Sequence, residues 1–109
     1  MISLSKELLS EVLGFNVSHI EECEHRDNIV GIWKDINKSP IKEINIHELV
    51  HKCKKWAWNK LGYEIVQYID VVKVFSGKRE LYESVYDIDY DVNEVIKAAQ
   101  WLYDKNFKA

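Results

Sequence analysis

The sequence predicts a single α+β domain, residues 1–109, with three helices packed on an antiparallel sheet of about four strands in the order α-β-β-α-β-β-α. Three observations point to this. Apolar residues recur at helical spacing in three separate segments; two of those segments open on capping-box patterns; and the β-branched and aromatic runs between them come in pairs joined by turn residues. Runs of strands linked as hairpins favour an antiparallel sheet over a parallel, doubly wound one.

The first helix is expected from Lys6 to Leu13, with Ser5 as N-cap, Gly14 as stop and an apolar face of Leu4, Leu8, Leu9, Val12 and Leu13. Phe15 to His25 reads as a strand that places Phe15, Val17, His19, Glu21, Cys23 and His25 on one face. After the turn residues Arg26-Asp27-Asn28, Ile29 to Ile36 reads as its hairpin partner. Asn37-Lys38-Ser39-Pro40 is a loop that holds the only proline. Asn45-Ile46-His47-Glu48 opens the second helix, in which Ile46, Leu49, Val50, Cys53, Trp56, Ala57 and Leu61 share a face, and Gly62 ends it. Tyr63 to Phe75 reads as one strand, Ser76-Gly77-Lys78 as a turn, and Arg79 to Ile88 as the returning strand. Asp91-Val92-Asn93-Glu94 caps the last helix, whose apolar face is Val92, Val95, Ile96, Ala99, Leu102 and Tyr103.

Composition excludes several function classes. The chain is 47% hydrophobic and 30% charged, so it has apolar surface enough to offset the entropy of ordering. Its net charge of −3 argues against a dedicated nucleic-acid binder, since neutralising phosphates calls for a basic face. No apolar run has the roughly 20 residues of a membrane span, and the first residues lack the basic start and apolar stretch of a signal peptide. A cytoplasmic protein is expected, with Cys23 and Cys53 as small buried hydrophobes rather than a disulfide. Glycines are too few and scattered for a phosphate loop, no serine sits in a nucleophile elbow, and His51 and Cys53 point to different helix faces.

The one catalytic-looking pattern is His47-Glu48-Leu49-Val50-His51. Two histidines one turn apart can share a zinc ion, with Glu48 as general base on its bound water. In this chain both imidazoles turn roughly 100–150° away from the core stripe, Lys52 follows directly, and no third ligand is apparent. A zinc-dependent hydrolase built on His47, Glu48 and His51 is therefore the alternative reading; the leading expectation is a non-enzymatic protein with no cofactor. A structural zinc site that joins Cys23 and His25 to His47 and His51 would need a meeting of distant segments. Asp87, Asp89 and Asp91, with Glu21, Glu22, Glu24 and Asp27, could make an acidic surface that mimics nucleic acid, a second alternative.

Interface chemistry is better represented. Lys52, Lys54, Lys55 and Lys60 lie on the second helix, and Trp58 shares an off-core side with His51 and Lys54. Trp101 falls about opposite the apolar face of the last helix. Tryptophans that a helix does not need for its own core mark surfaces for another protein or a second copy of the chain.

The segment from Ile46 to Ala57, followed by Gly62-Tyr63, resembles small uncharacterised proteins encoded by phages and prophages, in which a helix of the type ELAHKCKEWA leads to a Gly-Tyr pair and a hairpin. Glu94 to Leu102 is similar to the last helix of those proteins, of the type EAIFKACEWL. The resemblance covers the C-terminal half and implies an α+β accessory protein with no assigned activity. Its pattern keeps the second histidine and not the first, so the resemblance weakens the zinc-hydrolase reading, and HExxH is a coincidence of spacing where His47 is replaceable.

Overall fold

A computed structural model describes residues 5–22, 28–85 and 91–107, the side chains of 91 and 92 excepted. Within the described residues, three α-helices and six strands form an α+β fold: α1 Lys6–Leu13, β1 His19–Glu22, β2 Ile29–Trp33, β3 Lys42–Asn45, α2 Ile46–Trp56, a π-helical turn Ala57–Leu61, β4 Glu64–Gln67, β5 Val71–Ser76, β6 Arg79–Val85 and α3 Asp91–Phe107. The strands make two three-stranded antiparallel sheets, β1-β2-β3 and β4-β5-β6, instead of the one sheet of about four strands expected.

Local chemistry sets the helix ends. Ser5 Oγ accepts the Leu8 N–H at 2.9 Å and Gly14 closes α1 in the left-handed region at φ 80°. Ser10 then ties the helix to the next segment, donating to the Lys6 carbonyl at 2.7 Å and accepting the Val17 N–H at 2.9 Å. Asn45 caps α2, but its short side chain reaches the His47 N–H at 2.8 Å, one residue earlier than the expected box with Glu48.

The extra strands have identifiable causes. Lys42–Asn45 has one apolar residue, Ile44, yet that residue faces Val30 and Ile32 on a buried sheet face. The Ile46 N–H then bonds the Asn28 carbonyl at 2.7 Å, which passes β3 straight into α2. The run expected as one strand from Tyr63 to Phe75 breaks at Tyr68–Asp70, where Tyr68 N–H bonds the Val71 carbonyl at 2.8 Å and turns β4 into β5. The returning strand is described to Val85.

One apolar core unites these layers. Leu8 and Leu9 from α1, Val30, Ile32 and Ile44 from the first sheet, Leu49 and Cys53 from α2, Val72 and Val74 from β5, and Ile96 and Leu102 from α3 are all buried in it. On the outer face of the second sheet, Lys73 lies 2.7 Å from Glu80 and 3.7 Å from Glu83. The Glu80 hydrogen bond is the main cause that holds its ammonium above the usual lysine range. Among the described residues no helix is long and apolar enough to cross a membrane.

Cys53 is fully buried, and burial raises its thiol pKa from 9.0 to about 12. The unfolded chain therefore loses this proton above pH 9 while the native state keeps it. Stability contributed by the neutral thiol is complete below pH 9 and declines as pH rises toward 12. At pH 10 the expected loss is about 1.4 kcal/mol. Urea denaturation at pH 8 and pH 10 checks this. Cys53→Ala should be less stable at both values because of its cavity, and its pH slope should be shallower by that amount.

Candidate functional site

The surface best placed to bind lies where α2 ends and β4 begins. Ala57 is fully buried and opens the π turn, and Trp58, the next residue, is 62% exposed. The turn closes on Gly62 at φ 73°, with Gly62 N–H bonding the Trp58 carbonyl at 3.1 Å and Tyr63 N–H bonding the Ala57 carbonyl at 3.1 Å. No atom lies within 4 Å of a Cβ placed at Gly62, so Gly62→Ala meets only backbone strain. A loss of about 1 kcal/mol is expected, with Trp58 fluorescence shifting as its turn loosens. Thermal melts and emission spectra of the variant measure both.

Lys54 sits one turn before Trp58. Its Nζ donates to Gln67 Oε1 at 3.2 Å and fastens α2 to β4. Lys54, Trp58, Glu64 and Ile65 line a groove of about 340 Å³ between the two elements. Residue 54 meets 67 while 58 meets 64 and 65, so α2 and β4 run in opposite directions along this face. Beyond Gln67 the chain turns through Tyr68 and Ile69, both exposed, the latter at 72%. These two were not legible as surface groups, because the segment reads as one continuous strand and its break carries neither glycine nor proline. Val85, paired with Val71 on the same sheet, is also exposed.

His47, Glu48 and His51 lie on the exposed side of α2, while Ile46, Leu49, Val50, Cys53 and Trp56 take its buried side. No group of three or more His, Cys, Asp or Glu side chains suited to a metal ion occurs among the described residues. His19, on the strand face expected to carry Cys23 and His25, packs edge-on against Trp33 with ring centroids 5.0 Å apart and lies 3.5 Å from Glu21. Cys23 and His25 fall outside the described residues, as do Glu24, Asp27, Asp87 and Asp89 of the acidic surface.

Trp101 is placed differently from the sequence expectation. It is half-buried, its ring 5.1 Å from that of Tyr82 on β6, with the Lys105 ammonium 4.9 Å from its centroid. The physical reason is that α3 is flanked by α2 as well as by the second sheet, so its covered surface is wider than one apolar stripe. Even Glu94 is buried there, hydrogen-bonded to Ser84 Oγ and 3.1 Å from Lys97 Nζ.

Comparison with protein-family models, with curated proteins and with solved structures finds no match to this chain.

Proposed function

We propose that this chain is a non-enzymatic binding protein, an accessory factor of phage or prophage type, which docks another protein on the face carrying Trp58. The observation that supports it is the exposure of Trp58 at a groove shared with Lys54, Glu64 and Ile65. An isolated exposed apolar residue needs no explanation, but a tryptophan beside a groove is of the residue type most enriched at interface hot spots, and Lys54 and Glu64 supply polar groups around it. Exposed Tyr68 and Ile69 extend the apolar character beyond the end of β4. The hydrolase reading has less support, because His47, Glu48 and His51 are open to solvent and a catalytic zinc site requires a third protein ligand.

The test uses Trp58→Ala, which removes an exposed side chain and should leave the fold intact. Sedimentation velocity across a concentration series reads self-association. Photo-crosslinking from the Glu64 position in producing cells, with Trp58 present or replaced by alanine, reads a foreign partner. The expected result is one association that weakens about thirtyfold in Trp58→Ala, the size of a hot-spot loss near 2 kcal/mol. A strictly monomeric chain whose crosslinks are the same with and without Trp58 refutes the proposal.

A further inference from the structure

A second groove, on a different face of α2, carries chemistry that the protein-docking face does not use. Val12 of α1 forms one wall, and Lys52, Lys55, Trp56, Asn59 and Lys60 form the rest, around a volume of about 340 Å³. Among the described residues no acidic side chain lines it, although the whole chain has a net charge of −3. Among the described residues Lys52 and Lys55 make no ion pair, while Lys60 pairs with the carboxylate of Glu11 at 3.8 Å. A helix C-terminus favours Lys54 and Lys55 in the last turn of α2 and Lys60 in the last turn of the π segment, but it does not account for Lys52.

Trp56 lines the groove while only 7% exposed, and its indole Nε1–H is buried with no hydrogen-bond partner among the described residues. Ammonium groups donate and cannot accept, so the three lysines here ask for a ligand rich in acceptors. Three unit positive charges are better matched by a phosphate dianion or a diphosphate than by a single carboxylate. The volume is at the small end of ligand sites, suited to a compact molecule rather than a tracked polymer.

We propose that the groove between α1 and α2 binds a small phosphorylated molecule, a mono- or diphosphate ester, through Lys52, Lys55 and Lys60. The indole N–H of Trp56 reports its arrival. The probes are inorganic phosphate and pyrophosphate, titrated into the whole ¹⁵N-labelled chain with sodium chloride at matched ionic strength as the control. The indole cross-peak of Trp56 is identified by its loss in Trp56→Phe. That peak is expected to move saturably with pyrophosphate, with the other indole peaks unmoved, and the double variant Lys52→Gln/Lys55→Gln should bind about tenfold more weakly. An otherwise unchanged spectrum establishes that the double variant is folded. A Trp56 peak that moves no further than in chloride, or a double variant that titrates like the parent, overturns the assignment. So does an oligonucleotide or phosphopeptide that saturates the same peak more tightly than pyrophosphate, since the site would then belong to a polymer.

Discussion

Leu49→Ala is expected to lower the stability of the fold by about 3 kcal/mol, within the range for a leucine truncated in a closed core. Leu49 is fully buried on α2, in the core cluster to which α1, α3 and strands of both sheets contribute. The cost combines lost transfer free energy with the cavity left behind, and rigid strands on two sides limit its collapse. A domain of this size has about 5–15 kcal/mol in total, so the variant should remain folded with a midpoint lowered by about 12 °C or more. Urea and thermal denaturation give the number. A loss below about 1 kcal/mol would mean that α2 is not packed as described.

Gly31→Ala is the second large effect, and its sign carries the information. A Cβ at Gly31 would stand 2.9 Å from Trp33 Cζ3 and 3.0 Å from Cη2, too close for either atom to stay where it is. Trp33 is not free to swing away. Its Nε1 donates to the Lys38 carbonyl at 3.1 Å and its ring meets that of His19. A destabilisation of about 2 kcal/mol is expected from overpacking. Glycine inside a strand is otherwise unfavourable, so the same substitution should become neutral or stabilising once Trp33 is alanine. Melting curves of Gly31→Ala, Trp33→Ala and the double variant close the cycle. Equal costs in both backgrounds would show that Trp33 does not cover Gly31.

The helices were legible because their signals are local. Ser5 and Gly14 bound α1, Asn45 and Gly62 bracket α2 with its π turn, and the buried residues of α2 are those its periodicity selects. The off-core positions of His47, His51 and Trp58 follow from the same periodicity, since 100° per residue leaves those side chains on the exposed side. Strands were less legible. Ile44 is the single apolar residue of β3, and its burial depends on Val30 across the sheet rather than on any pattern within Lys42–Asn45.

By itself the sequence determined the ends of α1 and of α2 with its π turn, the apolar stripe of α2 and the exposure of Trp58, all of which depend on residues within a few positions of one another. Only tertiary structure decided that the strands divide into two sheets, that α3 is covered on more than one side so that Trp101 packs on Tyr82, and that the last turn of α2 widens. It alone brought Val12 of α1 against Lys52, Lys55 and Lys60, and Lys54 against Gln67. The reason is that these arrangements depend on pairings between segments far apart in the chain, whose free energy comes from burying one element's face against another and is not written in the periodicity of either.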